Sequence, residues 1–275
     1  MLIAALGQRT KRIRLGPAVS VLPLHHPLHL AEEYALADNL CGGRLNFAIG
    51  SGFSPNEYKM FGMTMEEARE KYWETFDVIL KAWTQEEFSH QGKHYQIEDG
   101  SLYVKPVQKP MPPTWIAASS DETLIRAGEL GFPIMGIPFV RSTSLSEVKQ
   151  KNELFMDSSV RAGHKEKPEI MVALHVYLQP SEQDAVDSAR PYFARVVDYL
   201  KKYRRPGARV PDFDTIKKDQ LALFSNPEGA CAIFREYEKI GVSHVIAMVN
   251  FGGVPMPDVR RTLELMSTEV FPKFN

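Results

Sequence analysis

The stretch TKRIRLGPAVSVLPLHHPLHLAEEYALADNLCGGRLNFAIGSGF, residues 10–53, decides the fold. Apolar residues dominate two short runs at 13–22 and 45–49, whereas at 29–40 they recur at helical spacing. A strand, a helix and a second strand in this order are typical of parallel strands joined by a crossover helix. The stretch therefore predicts a parallel α/β fold.

The same alternation continues to the end of the chain. Further strands are predicted at 114–118, 133–137, 170–178 and 244–250, and further helices at 64–83, 121–130, 144–162, 182–202, 227–240 and 257–271. Three segments interrupt the order, namely 53–63, the hairpin-like 84–113 and the polar 201–224. We predict one domain over residues 1–275, with insertions at 84–113 and 201–224, and we expect all three segments to form pocket walls.

The composition indicates a globular protein with a sizeable core. Of the 275 residues 44% are hydrophobic, and 33 basic against 34 acidic residues give a net charge of −1. Nucleic-acid binding needs a basic excess, so this balance argues against it. Cys41 and Cys231 are too few for a disulfide framework or a Cys-x-x-Cys metal pair. No apolar run approaches the roughly 20 residues that span a bilayer, and no secretory pattern is visible, so the expected compartment is the cytoplasm.

The number of strands leaves two architectures open. Six predicted strands are fewer than the eight of a closed parallel barrel. The chain also begins inside a helical pattern rather than before a strand. The residues therefore fit either a doubly wound open sheet or a barrel that lacks about two N-terminal strand-helix units.

Three segments together favour the barrel. They are residues 10–53, PPTWIAASSDETLIRAGELGFPIM at 112–135 and GVSHVIAMVNFGGVPMPDVRRTLELMSTEVFPKF at 241–274. In order and over essentially the whole chain, they resemble the bacterial luciferase-like, flavin-dependent monooxygenase family. The resemblance implies a TIM-type (β/α)8 barrel of which about six units are present, and an enzyme that uses reduced FMN with oxygen or, in some branches, the deazaflavin F420.

The resemblance breaks at the start of the chain. The family's acidic-His-His stretch, which carries its best-known catalytic histidine, has no counterpart here. A misplaced start or a partial gene would explain the difference, as would a six-unit protein that a partner chain completes.

A polar turn follows the predicted strand at 114–118. Free backbone N–H groups at the start of a helix favour an anion, and the hydroxyls of Ser119, Ser120 and Thr123 add donors. In the family this turn holds the FMN phosphate, and these three positions match. The structural alternative is a capping box formed by Ser119 and Glu122, whose carboxylate, with that of Asp121, would repel a phosphate.

Two further stretches match cofactor-binding positions of the family. Gly50 and Ser51 follow the strand at 45–49, where glycines allow a ligand to approach closely or simply make a turn. Several family members carry a phosphate-clamping arginine at the position of Ser51, and its loss keeps F420 or weak flavin binding open. Ala18 and Val19 match an uncommon cis peptide beneath the flavin ring, although their residue types alone indicate an ordinary buried strand.

His26 and Asn250 are the remaining candidates. A histidine near a flavin could move a proton near neutral pH, and His26, unlike His25, matches a histidine that the family often has. A loop histidine is otherwise structural or solvated. The His26–His29 spacing lacks a third ligand, so no metal site is predicted. Asn250 ends the last strand, where it could bind the flavin edge or cap the turn.

Three functions fit the resemblance. The first, which we expect, is a monooxygenase that uses reduced FMN and oxygen on a small apolar organic substrate such as an aldehyde, with a flavin reductase as the source of reduced flavin. The second is an F420-dependent hydride-transfer oxidoreductase, and the third is a non-catalytic flavin-binding partner subunit. Family members commonly dimerise, so a homodimer or heterodimer is expected, with neither nucleic acid nor membrane as partner.

Overall fold

Parallel strands alternate with helices along the whole chain in a computed structural model, which describes residues 1–203 and 210–274. The chain divides into two compact units, Met1–Ala117 (unit 1) and Ala118–Asn275 (unit 2). Each unit has its own parallel strands. The single domain expected over 1–275 stays a prediction.

Unit 1 combines three parallel strands with one antiparallel hairpin. In chain order it contains α1 (Leu2–Arg9), β1 (Ser20–Val21), α2 (Pro27–Leu40), β2 (Phe47–Gly50), α3 (Pro55–Met60), α4 (Met65–Thr84), β3 (Phe88–Gln91), β4 (Gln96–Gly100) and β5 (Thr114–Ala117). β2 lies between β1 and β5 and is parallel to both, and β3 pairs with β4. The strands predicted at 45–49 and 114–118 and the hairpin within 84–113 are thereby confirmed.

The strand predicted at 13–22 is much shorter in the structure. Only Ser20–Val21 pairs as a strand, and Leu15 makes a single bridge to Leu45. Pro17 has no N–H to donate to a neighbouring strand, and a 3₁₀ turn with Pro23 near its start already begins at Leu22. Most of the apolar run is therefore extended chain outside the sheet, and only Ser20 and Val21 belong to a strand.

Unit 2 is built around one long central strand. In chain order it contains α5 (Asp121–Leu130), β6 (Ile134–Gly136), α6 (Pro138–Arg141), α7 (Leu145–Arg161), β7 (Ile170–Leu178), α8 (Glu182–Tyr203), α9 (Phe213–Lys218), β8 (Leu223–Ser225), α10 (Pro227–Lys239), β9 (His244–Met248) and α11 (Met256–Leu265). β7 is parallel to β6, β8 and β9. α5 and β7 have the predicted bounds, whereas the helix predicted at 257–271 changes to a π turn at Met266–Val270.

Part of the second predicted insertion is regular structure. The segment 201–224 includes α9 and most of β8, while residues 204–209 lie outside the described residues. All three residues of β8 are buried. The apolar run LALF at 221–224 was the available signal, but at four residues it is too short to stand out from its polar surroundings.

The core of each unit explains why these elements pack. In unit 1 the indole of Trp83 lies edge-on to Phe47, at 5.0 Å between ring centroids, and donates to the carbonyl of Ala31 at 2.9 Å. In unit 2 eight of the nine β7 residues are buried, which fits a central strand covered on both faces. Within the described residues, no helix is long and apolar enough to cross a membrane.

Candidate functional site

Val19, the residue just before β1, lies against Gly50, the last residue of β2. The peptide bond between Ala18 and Val19 is cis, the geometry that the resemblance implies. A Cβ atom added to Gly50 would lie 2.7 Å from Val19 Cγ2 and 3.4 Å from Ala117 Cβ. Glycine at 50 therefore makes room for the Val19 side chain, and two predicted cofactor-binding residues are in contact.

The turn that carries Ser51 is held by Tyr58, a residue that the sequence analysis missed. The Tyr58 hydroxyl donates to the Ser51 carbonyl at 2.5 Å. Burial, with the nearby Glu57 carboxylate, raises the pKa of Tyr58 to about 12, so the hydroxyl keeps its proton. Gly52 follows with φ of +89°, and a Cβ there would lie 2.6 Å from the Tyr58 oxygen. Ser51 itself is half-buried, with its backbone conformation fixed.

His26 is the N-cap of α2. Its Nδ1 accepts from the Leu28 N–H at 3.3 Å, which places the proton of the neutral ring on Nε2. The ring lies 5.5 Å from those of His29 and Tyr95, between centroids. Burial lowers the pKa of His26, and the charges of His29 and Lys71 lower it further. The ring is therefore neutral at pH 7, with Nε2 available as a donor, and its catalytic role stays a prediction.

The turn before α5 corrects one expectation. The N-cap is Ser120, whose Oγ accepts from the Thr123 N–H at 3.3 Å, so the helix begins one residue later than a Ser119–Glu122 capping box requires. The hydroxyls of Ser120 and Thr123 also share a hydrogen bond of 2.9 Å. One shared bond leaves one of the two O–H groups free to donate outward. Ser119 and Ser120 are exposed, so this turn can receive an anion.

Asn250 is exposed just beyond β9, at the start of a rigid turn. Gly252 and Gly253 adopt positive φ values of 54° and 77°. A Cβ at Gly252 would lie 1.9 Å from the Tyr192 carbonyl oxygen, and Arg195 Nη1 donates to the Gly252 carbonyl at 2.8 Å. The turn thus requires glycine, and Asn250 presents its amide at the carboxyl end of a parallel strand.

His175 on β7 is a second residue that the sequence analysis missed. Its ring is 7% exposed and packs against Phe139, Phe193 and Phe251 at 5.4, 5.2 and 5.0 Å between centroids. Nδ1 has no partner among the described residues, and burial lowers the pKa of His175 to about 4. The available signal was a lone histidine inside the apolar run at 170–178.

No described group of three or more His, Cys, Asp and Glu side chains is arranged to hold a metal ion. Of the predicted site residues, the structure brings together Val19 with Gly50 in unit 1 and Ser120 with Thr123 in unit 2.

The sequence matches that of a known family along most of its length. The family model described as luciferase-like monooxygenase covers residues 1–244. Limonene 1,2-monooxygenase of Rhodococcus erythropolis is 26% identical over all of this chain and 72% of its own length. The oxygenase component of the flavin-dependent trigonelline monooxygenase of Acinetobacter baylyi is 31% identical over 66% of this chain and 51% of its own length. An F420-dependent glucose-6-phosphate dehydrogenase of Amycolatopsis mediterranei is 25% identical over 98% of this chain and 81% of its own length.

Solved structures share the fold. Monooxygenase RslO1 from Streptomyces bottropensis superposes with a TM-score of 0.90 at 24% identity, over 99% of this chain and 82% of that one. The oxygenating constituent of 3,6-diketocamphane monooxygenase from Pseudomonas putida, in complex with FMN, has a TM-score of 0.79 at 22% identity and the same coverage. These similarities and the parallel strand-helix order confirm the (β/α)8-barrel fold class.

Proposed function

The chain belongs to the luciferase-like monooxygenase family and is an oxidoreductase of that family, and from this we propose that it uses reduced FMN and oxygen to oxygenate a small, largely apolar organic substrate such as an aldehyde. A relative named as the oxygenase component of a flavin-dependent monooxygenase supports the reaction type. The observation that carries the choice of FMN is the hydroxyl pair of exposed Ser120 and half-buried Thr123 at the start of α5.

This turn fits a phosphate monoester. The first N–H groups of α5 lack partners within the helix, and the Ser119, Ser120 and Thr123 hydroxyls lie beside them. The carboxylates of Asp121 and Glu122 are exposed and can turn toward solvent. We assign phosphate binding to these three hydroxyls, which would hold the cofactor by charge-assisted hydrogen bonds.

Unit 1 would supply contacts to the flavin itself. We assign Ala18, Val19, Gly50 and Ser51 to cofactor binding, because Gly50 carries no side chain and lets Val19 pack closely against the sheet. Reduced FMN, when bound, supplies the electrons that activate oxygen. His26 would donate or accept a proton at Nε2, since its Nδ1 is occupied by the Leu28 N–H. In unit 2 the amide of Asn250 would bind the flavin edge.

The partner that this chemistry requires is a flavin reductase. The trigonelline relative is named as an oxygenase component and the diketocamphane enzyme as an oxygenating constituent, so each is one part of a larger system. We propose the same division of labour here, with the chain acting in the cytoplasm as a homodimer or heterodimer.

The double variant Ser120→Ala/Thr123→Ala tests the phosphate assignment. Loss of the two hydroxyls should weaken FMN binding by about 1–3 kcal/mol, while riboflavin, which lacks the phosphate, should bind as before. Isothermal titration measures both. Ser144→Ala is the control, because Ser144 caps α7 as Ser120 caps α5. If FMN affinity falls equally in the double variant and in Ser144→Ala, or does not fall in the double variant, Ser120 serves only as a helix cap.

F420-dependent hydride transfer is the second candidate function. Ser51 stands where several family members carry arginine, and an F420-dependent dehydrogenase is among the relatives. Anaerobic titration with reduced FMN and, separately, with reduced F420 distinguishes the two functions. Saturable binding of reduced FMN near one site per chain, followed by oxygen-dependent product formation, supports the proposal. Binding of F420 alone would replace it with the second candidate.

A further inference from the structure

Arg141, the last residue of α6, is a buried cation with unused donors. The residue is 6% exposed, and among its guanidinium nitrogens only Nη2 has a partner, the Asn152 Oδ1 at 2.6 Å. Nε and Nη1 have no hydrogen-bond partner among the described residues. The hydroxyl of the next residue, Ser142, is also buried and without a partner in that part of the chain.

No carboxylate of the described residues balances this charge within 4.0 Å. The nearest acid along the chain is Glu147, which accepts from the Thr143 N–H at 2.7 Å and pairs with Lys151 at 3.5 Å. Lys151, another cation, donates to the Arg141 carbonyl. Burial lowers the pKa of Arg141 to about 10, so the group stays charged at neutral pH. A buried charge without a counter-charge is costly, and an anionic ligand would remove that cost.

Gly136 lies directly against the Arg141 guanidinium. A Cβ placed on Gly136 would lie 3.3 Å from Arg141 Nη1, from Arg141 Cδ and from the Ala118 carbonyl oxygen. Gly136 is the last residue of β6 and is half-exposed. Arg141 therefore occupies the space that a side chain at 136 would fill, at the carboxyl end of a parallel strand, where barrels bind their ligands.

A structural role accounts for only one nitrogen of the Arg141 guanidinium, Nη2. Nη2 joins α6 to Asn152 of α7, and Asn152 Nδ2 donates to the Ile240 carbonyl at 3.0 Å. Nε and Nη1 make no hydrogen bond within the described residues.

We propose that Arg141 binds an oxyanion, a carboxylate or a phosphate, on a ligand of the enzyme. The fork of the guanidinium suits planar oxyanions. This refines the proposed function, on which it partly rests: the oxyanion belongs either to the organic substrate or to the FMN phosphate.

The experiment compares each anion with a neutral counterpart, using the full chain and isothermal titration. Benzoate is compared with benzamide, without flavin and again with FMN present, and FMN is compared with riboflavin. Arg141→Gln removes the charge, Gly136→Ala covers Nη1 while keeping the arginine, and Arg141→Lys keeps a charge without the fork. Arg190→Gln is the control, because Arg190 is exposed and pairs with Asp214. Thermal unfolding of every variant shows which ones fold.

We expect the wild type to prefer at least one anion over its neutral counterpart. Arg141→Gln and Gly136→Ala should each weaken that anion by about 10- to 100-fold and leave the neutral compound unchanged, with Arg141→Lys in between. A lost preference for benzoate assigns the oxyanion to the substrate, and a lost preference for FMN assigns it to the cofactor. If the wild type binds no flavin, the proposed function fails and the benzoate comparison still tests Arg141. The inference is overturned if Gly136→Ala and folded Arg141→Gln still prefer the anion over its neutral counterpart. It is also overturned if the wild type prefers neither anion.

Discussion

Single side chains in this protein owe their chemistry to what surrounds them. His175 is a basic group in an aromatic environment, with Phe139, Phe193 and Phe251 around its ring. Such surroundings solvate an imidazolium poorly, so the neutral ring is favoured as long as the protein is folded. Protonation of His175 is therefore coupled to unfolding.

The stability of the protein should fall in mild acid because of His175. Its folded pKa is about 4 against 6.5 for the free group, so between these values only the unfolded chain binds the proton. Between pH 7 and pH 5 the wild type should lose up to about 2 kcal/mol more of its unfolding free energy than His175→Phe. Urea titrations at both pH values measure this. Equal losses in the two proteins would mean that His175 is solvated when folded.

At the scale of elements, one carboxylate fastens the β3–β4 hairpin to α4. Glu74 accepts from the Tyr95 N–H at 2.8 Å, from the His94 N–H at 3.0 Å and from His90 Nε2 at 3.2 Å. Burial raises the pKa of Glu74, but the backbone N–H groups of Tyr95 and His94 outweigh it, and the net shift is downward. The contribution of Glu74 is therefore present above the unfolded pKa near 4.5 and is lost as pH falls through the lower folded value.

Glu74→Gln should weaken the attachment of the β3–β4 hairpin to α4. The amide replaces one accepting oxygen by a donor, leaving an N–H of His94 or Tyr95 without an acceptor, at a cost of about 1–3 kcal/mol at pH 7. Urea unfolding measures the stability, and hydrogen exchange at the Tyr95 amide localises the change. Glu70→Gln on the same helix is the control: Glu70 pairs with Lys93 at the surface, where solvent screens the pair, and its loss should cost much less than that of Glu74. Similar losses in the two variants would contradict the role given to Glu74.

At the scale of the whole molecule, cofactor binding should be visible as stability. A ligand that binds only the folded chain at 100 times its dissociation constant adds about 2.7 kcal/mol to the free energy of unfolding. Reduced FMN should give this increase under anaerobic conditions, as measured by urea unfolding. Riboflavin at the same concentration should give less, because it lacks the phosphate assigned to the α5 turn. Equal stabilisation by both would argue against a phosphate site at Ser119, Ser120 and Thr123.

Much of the fold could be predicted because its signals are local. The bounds of α5 follow from a polar cap before Asp121 and from Gly131 just past the helix, at φ of +72°. β7 followed from nine consecutive residues that are apolar or aromatic apart from one histidine. β1 could not be predicted at its true length, because an apolar run does not reveal which residues find a pairing partner.

The sequence by itself determined most of the order of strands and helices, the family, and the hydroxyl turn before α5, because spacing and motifs depend on neighbours along the chain. It did not reveal α9 and β8, which lie almost wholly within a segment predicted as an insertion. Only the tertiary structure decided that Tyr58 holds the Ser51 carbonyl and that His175 lies among three phenylalanines. It also decided that two nitrogens of Arg141 have no hydrogen-bond partner in the described part of the chain. Burial and the lack of a partner are relations between residues far apart in sequence, such as His175 and Phe251. The packed chain alone sets the dielectric environment and the donors that each group meets.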